Sequence, residues 1–215
     1  MKIQAVLFDV DGTLIDTSEY IYQAYEHSLG RHKHDLLSRE EMSLLMGKPL
    51  EDTYREITGL DTVNPLMDAH REYQFENAGL AVAFPHSLQT LESLRKKGIS
   101  IAAVTTRARD TAIETLEEAE LFPLIDFFVG FEDVTAPKPD PEGIKKALDF
   151  FNVHPSEAIM IGDSPVDVEA GKNAKTNTIG VTYGFHGDRI VDTEPDYVID
   201  DISEIIEIIE IVDGF

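Results

Sequence analysis

The sequence has no cysteine, which excludes disulfides and any thiolate metal site. No apolar run approaches the ~18 residues that suggest a membrane span. The start, Met1-Lys2-Ile3, lacks the charged, apolar and small-residue succession of a signal peptide. A cytoplasmic protein without a membrane partner is therefore expected. Basic residues are scarce, 18 Lys and Arg against 41 Asp and Glu, for a formal net charge of −23. Such a chain repels nucleic acid at long range, so no nucleic-acid partner is expected. It repels small anions as well, so a site for one must reverse the sign of the potential locally. Internal repeats and low-complexity segments are also absent.

What is present describes a globular protein. The 215 residues are 42% hydrophobic and 27% charged, enough for a sizeable core in one or two domains. The most informative stretch is KIQAVLFDVDGT, residues 2–13. Its apolar run, residues 3–8, suits a strand buried on both faces. The run stops at Asp9-Val10-Asp11-Gly12-Thr13. In extended backbone the two aspartates point the same way, and Gly12 permits a sharp turn. Taken alone, this is either a strand ending in a solvated turn or the start of a functional site.

After Thr13 the pattern turns helical. Thr17 or Ser18 is placed to cap a helix running to about residue 29, with Ile21, Ala24, Tyr25 and Ser28 on one face. Further helices are expected over 38–46, 50–58 and 64–79, the last with Leu66, Met67, His70, Tyr73 and Phe75 near helical spacing. His32 and His34 have no third ligand nearby and do not make a zinc site. From Pro85 onward helix and strand alternate, as in a parallel, helix-covered sheet. Helices are expected over 87–97, 110–120, 141–151 and 166–174. Strands are expected over 99–104, 127–130, 158–161, 178–181 and 197–199. Residues 202–212 carry Ile202, Ile205, Ile206, Ile209 and Val212 at helical spacing, with Glu204, Glu207 and Glu210 on the wet side.

Four short motifs occur in order: Asp9-x-Asp11-Gly12-Thr13, then Thr105 after an apolar run, Lys138-Pro139-Asp140-Pro141, and Gly162-Asp163-Ser164-Pro165-Val166-Asp167. Together they resemble the signature of the haloacid dehalogenase-like hydrolases, in the branch of phosphoglycolate phosphatases and small pyrophosphatases. The resemblance spans essentially the whole chain. It implies an α/β fold, a Rossmann-like parallel sheet core with an inserted α-helical cap domain. The core is expected at 1–15 and 81–215, and the cap at 16–80, joined by linkers near 15–17 and 80–84.

The resemblance further implies Mg²⁺-dependent hydrolysis of a small phosphorylated metabolite, phosphoglycolate or pyrophosphate first, by a monomer or homodimer. Asp9 is the implied nucleophile and Asp11 the general acid and base. Thr105, through its hydroxyl and backbone N–H, Thr106 and Lys138 are the implied phosphate-binding groups. Asp9, the Asp11 backbone carbonyl and Asp163 are the implied metal ligands, with Asp167 a further ligand or one step removed. If these groups converge, one lysine cannot offset four carboxylates, and a divalent cation is required. An all-oxygen set without cysteine or clustered histidine favours Mg²⁺ over zinc.

Related chemistries fit less well. Asp11 favours phosphoryl transfer over dehalogenation. In Met46-Gly47-Lys48-Pro49-Leu50 a phosphonatase lysine is expected where Leu50 stands, and the arginine usual in sugar phosphomutases is missing. A sugar phosphomutase, or a non-catalytic regulatory or partner-binding module on the same fold, remains the alternative. Thr106-Arg107 departs from the asparagine and lysine often found after the threonine, and Lys175 stands where glycine is usual. Lys48, between Gly47 and Pro49, is the cap cation expected to meet a substrate anion.

Overall fold

The computed structural model describes residues 2–214; Met1 and Phe215, the outer ends of the expected core, lie outside the described residues. The apolar run after Lys2 forms β1 (Ala5–Phe8), buried throughout. The chain then turns tightly, with the amides of Leu14 and Ile15 both donating to the Val10 carbonyl. A two-residue strand, β2 (Ile15–Asp16), leads into α1 (Ser18–Arg31), α2 (Arg39–Ser43), α3 (Leu50–Thr58) and α4 (Asn64–Glu76). A second short strand, β3 (Val82–Ala83), pairs antiparallel with β2. Regular alternation follows: α5 (Ser87–Lys96), β4 (Ser100–Val104), α6 (Arg109–Glu118), β5 (Phe127–Val129) and α7 (Glu142–Phe151). The chain ends with β6 (Ala158–Gly162), α8 (Pro165–Ala174), β7 (Asn177–Val181), β8 (Tyr197–Ile199) and α9 (Ile205–Asp213).

Six strands make one parallel sheet in the order β5-β4-β1-β6-β7-β8. The period-two alternation of a strand sends successive side chains to opposite faces, and both faces are buried, as parallel sheets require. Val6, Phe8, Ile101, Ala103, Ile159 and Ile161 pack with α5, α6 and α9 through Leu91, Leu94, Leu116 and Ile205. Ala5, Leu7, Ala102, Val104 and Met160 pack with α7 and α8 through Ile144, Leu148 and Ala170. The chain first adds β4 and β5 on one side of β1, then crosses to place β6, β7 and β8 on the other. The strand order therefore reverses between β1 and β6, and open parallel sheets hold ligands beyond the carboxyl ends of their strands at such a switch.

Helices α1 to α4 have a cluster of their own, built on Tyr25, Leu29, Met42, Tyr54 and Leu66. Ser28 on α1 donates its hydroxyl hydrogen to the Leu66 carbonyl at 2.7 Å, tying α1 to α4. Among the described residues, no helix is long and apolar enough to cross a membrane.

The structure differs from the sequence expectations in local ways. The helix expected over 38–46 shortens to α2, started by a capping box in which Ser38 and Glu41 serve each other's backbone N–H. Neither Thr17 nor Ser18 caps α1 with its own side chain; the Asp16 carboxylate accepts from the Ser18 amide at 3.0 Å instead. Helix α4 stops at Glu76, and a 3₁₀ turn (Ala78–Leu80) follows. Phe75 is 72% exposed while Gln74 is buried, because Gln74 lies four residues beyond buried His70 and shares its face. The segments expected as plain linkers pair with each other as the β2–β3 ribbon.

His70 lies within the helical cluster, 2% exposed, with Nδ1 hydrogen-bonded to the Tyr54 hydroxyl at 2.9 Å. Burial, aided by the charges of Arg107 and Arg71, pushes its pKa down from 6.5 to about 3. The unfolded chain therefore takes up this proton first as the pH falls. His70's contribution to stability is complete above about pH 6.5 and is lost progressively towards pH 3. Between pH 7.5 and 5.0 the wild type should lose about 2 kcal/mol more unfolding free energy than His70→Gln, at ~1.4 kcal/mol per unit. Denaturant titrations at both pH values measure this, and equal losses would rule out His70 as the responsible group.

Candidate active site

The residues singled out in the sequence emerge where β1, β4 and β6 end side by side. Phe8 of β1 sits opposite Ala103 of β4 and Ile161 of β6. Asp9 follows Phe8 directly, and Thr105 and Asp163 lie two residues beyond Ala103 and Ile161, so chain direction delivers all three to one rim. Asp9 is 5% exposed, Asp163 1% and Asp167 1%. Lys138, on the loop before α7, reaches across with its ammonium buried among them. Its Nζ donates to Asp9 Oδ1 at 2.7 Å, to Asp167 Oδ1 at 2.5 Å and to the Val104 carbonyl at 2.8 Å. Three donor hydrogens thus meet three oxygens, the full capacity of an ammonium group.

Helix α8 begins at this rim. Ser164 precedes it, and the Asp167 carboxylate accepts from both the Ser164 amide and its hydroxyl. Both oxygens of Asp167 are therefore occupied, Oδ1 by Lys138 and Oδ2 by Ser164. The Phe185 amide donates to Asp163 Oδ2 at 2.6 Å. Asp9 Oδ2 and Asp163 Oδ1 have no hydrogen-bond donor among the described residues. Gly12, at φ +78°, brings backbone against this group; a Cβ there would stand 2.3 Å from Asp163 Oδ2.

The electrostatics follow from burying three carboxyl groups around one cation. Burial raises the pKa of Asp9 from 3.8 to about 7; Lys138 opposes the rise, and Asp167 and Asp11 add to it. Burial also holds Asp163 well above the usual carboxylate range, with Asp167 and Asp9 contributing. For Lys138, burial works against the charge, but the Asp167 and Asp9 carboxylates override it and raise its pKa. Carboxylate oxygens of Asp9, Asp163 and Asp167 lie within 4.8 Å of one another. Two donor-free carboxylate oxygens on buried aspartates, an all-oxygen set and an excess of negative charge fit a hard divalent cation.

The other expected site residues are placed differently from one another. The Thr105 backbone N–H donates to the Val129 carbonyl at 2.9 Å in extending the pairing with β5. It is therefore not free for a phosphate, which corrects the expectation for that group; the hydroxyl remains, accepting from the Arg107 amide. The Thr106 hydroxyl donates to the Gly47 carbonyl at 3.0 Å, joining the rim to the helical segment. Gly47 permits that approach: it sits at φ +90°, and a Cβ would stand 2.7 Å from Ser164 Oγ. Lys48 lines the cavity, but its Nζ is held by Glu56 Oε2 at 2.5 Å. The cavity, about 100 Å³, lies between rim and helices and is lined by Asp9, Asp11, Thr105, Arg107, Lys48 and Gln74, among others.

A model described as haloacid dehalogenase-like hydrolase matches residues 6–181. The chain belongs to the haloacid dehalogenase-like hydrolase family. It is 34% identical over 216 residues to a pyrophosphatase PpaX of Bacillus mycoides strain KBAB4, covering 100% of each chain. It is 36% identical to a pyrophosphatase PpaX of Bacillus velezensis strain FZB42 over 209 residues, 96% of each. Among solved structures, a haloacid dehalogenase-like hydrolase from Bacteroides fragilis superposes with a TM-score of 0.86 at 32% identity. That alignment covers 95% of this chain and 100% of the other.

Within this hydrolase the departure at Arg107 has a structural consequence that the sequence does not announce. The side chain is 8% exposed and pairs with Asp11 Oδ1 at 3.0 Å. Its remaining donors go to the Thr111 hydroxyl and carbonyl, the Thr115 hydroxyl and the Tyr20 hydroxyl. The guanidinium also lies over the Tyr20 ring, 4.7 Å from its centroid. Asp11 is thereby tied to α6 and to α1 at once. His70, Arg71 and Gln74 of α4 also line the cavity, and their helical spacing was the available signal.

A lysine cannot replace that planar fork of donors. Arg107→Lys should lower unfolding free energy by about 1–3 kcal/mol, the usual cost of leaving buried acceptors unmet. The exposed pair partner change Arg31→Lys should cost within ~0.5 kcal/mol. Denaturant midpoints compare the two, and equal costs would mean the Arg107 network adds no stability.

Proposed function

We propose that this phosphatase hydrolyses a small phosphorylated metabolite through an aspartyl-phosphate on Asp9, with Mg²⁺ bound, and that inorganic pyrophosphate is the first substrate to test. The observation that carries the reading is the buried Asp9 carboxylate, gripped by Lys138 at 2.7 Å and facing the same small cavity as Asp11 and Thr105. A cavity of about 100 Å³ is well below the ~300–1,000 Å³ of sites for drug-sized ligands, which favours a small substrate. Whole-chain relatives named pyrophosphatase support the choice of substrate.

In this reading an Asp9 oxygen attacks phosphorus as the bond to the leaving oxygen breaks, splitting one hard displacement into two easier ones. Asp11 gives that oxygen its proton and then takes one from the water that cleaves the Asp9 acyl phosphate. Lys138 neutralises charge on Asp9 and the transferred group, and the Thr105 hydroxyl donates to a phosphoryl oxygen. The Thr106 backbone N–H, with no acceptor among the described residues, takes the place expected of Thr105's. Asp9, Asp163 and the Asp11 backbone carbonyl would hold Mg²⁺, with Asp167 fixing Lys138 and the start of α8. When bound, the cation offsets the carboxylate charge and polarises the phosphoryl group. Residues 16–80 act as a cap on a core of 1–15 and 81–215, hinged at the β2–β3 ribbon.

Three experiments test this. Asp9→Asn should abolish turnover with the fold retained by circular dichroism, because an amide does not attack phosphorus. Asp11→Asn should slow alkyl phosphates more than aryl phosphates, since poor leaving groups most need the proton; equal slowing would count against Asp11 as the acid. EDTA should remove activity, Mg²⁺ should restore it, and Ca²⁺ should bind with little turnover because its looser coordination misplaces the reacting groups. Full activity in metal-free buffer would sink the metal assignment.

A further inference from the structure

Helix α4 turns Met67, His70, Arg71 and Gln74 into the cavity. Their spacing, i, i+3, i+4 and i+7, puts them on one face of the helix. Gln74 is 5% exposed, yet its side-chain amide has no hydrogen-bond partner among the described residues. The side chain is buried as a whole but its amide atoms are not enclosed, so the amide is free to meet a ligand in the cavity. His70 is engaged through Nδ1 by Tyr54, and its Nε2 has no partner among the described residues either.

Charge pairing around the cavity isolates one more group. Asp9 is matched by Lys138, Asp11 by Arg107, Lys48 by Glu56 and Glu51 by Arg55. Arg71 is the charged lining residue left over: it has neither an ion pair nor a hydrogen bond among the described residues. Every other arginine has at least one. This is notable in a chain with 41 acidic side chains, where an exposed guanidinium readily finds a carboxylate.

We infer that Arg71 and Gln74 form a subsite for a second anionic oxygen group on the substrate, a phosphate or carboxylate carried by the part that leaves. The inference rests on the phosphatase reading above, in which Asp9, Lys138 and Thr105 hold the transferred phosphoryl group. A guanidinium presents a planar fork of donors suited to either oxyanion, and the Gln74 amide adds N–H donors from a buried position beside it. His70 Nε2 completes the face. The paired state of Lys48 moves the role expected of that lysine to α4.

The test compares wild type with Arg71→Ala, Gln74→Met and Gln74→Glu on pyrophosphate, phosphoglycolate and phenyl phosphate, whose leaving group has no second anion. For a substrate with two anionic groups, kcat/KM should fall at least tenfold more than for phenyl phosphate, mainly through KM. Gln74→Glu should be the more damaging change at Gln74, because it sets a carboxylate against the anion. A loss confined to pyrophosphate assigns the subsite to phosphate, and one confined to phosphoglycolate assigns it to carboxylate. Equal losses on all three substrates would overturn the inference.

Calorimetry with methylenediphosphonate and Mg²⁺ gives a readout independent of turnover. Kd should rise at least tenfold in Arg71→Ala, an exposed position where the change does not threaten folding. Unchanged affinity would overturn the subsite. A wild type that binds methylenediphosphonate through Arg71 but hydrolyses no phosphate ester would overturn the phosphatase reading and leave the subsite standing. Normal hydrolysis with variants that respond alike to all substrates would do the reverse.

Discussion

Lys138 makes the rest of this structure possible. Its ammonium group is shared by Asp9 and Asp167, two of the three carboxyl groups buried together beyond β1 and β6, and among the described residues it is the one cation paired with that cluster. Charges taken out of water are costly unless paired and hydrogen-bonded. Here each hydrogen of the ammonium has an acceptor, the Val104 carbonyl among them. Lys138 therefore fixes Asp9 in place on the central strand and Asp167 at the start of α8. One positive charge does not match the carboxylates around it, and burial, with the neighbouring carboxylates adding to it, raises the pKa values of Asp9 and Asp163. The same imbalance makes the site receptive to a hard divalent cation.

The sheet converts that local chemistry into a site. Because the strand order reverses between β1 and β6, no crossover helix covers the space above their carboxyl ends, and the motif residues open into it. The loop after β4 closes one side with Thr105, Thr106 and Arg107. This loop also carries much of the traffic between the sheet and the helical segment. Thr106 holds the Gly47 carbonyl, and Arg107 holds Tyr20 of α1 while pairing with Asp11. The position of the helices and the orientation of Asp11 are thus physically linked through two adjacent residues.

The division of labour between rim and helices follows from packing. The helical segment has its own apolar cluster, so its inner face can carry polar groups that the packing of the helices does not need. That face is where Gln74 and Arg71 stand without partners, while most other charged groups nearby are paired. A polar group left unmatched in a well-paired surrounding is more informative about a ligand than a matched one.

Much of the fold and of the rim was legible in the residues themselves. Continuous apolar runs such as 3–8 and 158–161 are read as buried parallel strands because such strands have no wet face. The isoleucine spacing in 202–212 marked a helix lying on the sheet, since only a 3.6-residue period keeps those side chains together. The order of Asp9, Thr105, Lys138 and Asp163 named the rim because each follows a strand or sits on a loop beside one. What the sequence by itself did not determine were relations between distant segments. It carried no sign that the Thr105 amide is used by β5, that Lys48 is held by Glu56, or that residues 15–16 and 82–83 pair. Nor did it reveal that Arg107 joins Asp11 to Tyr20, or that Gln74 is buried without a partner while Phe75 faces water. Periodicity assigns a side chain to a face of its own helix or strand. Which group waits across that face depends on how the segments dock, and only the tertiary structure decides it.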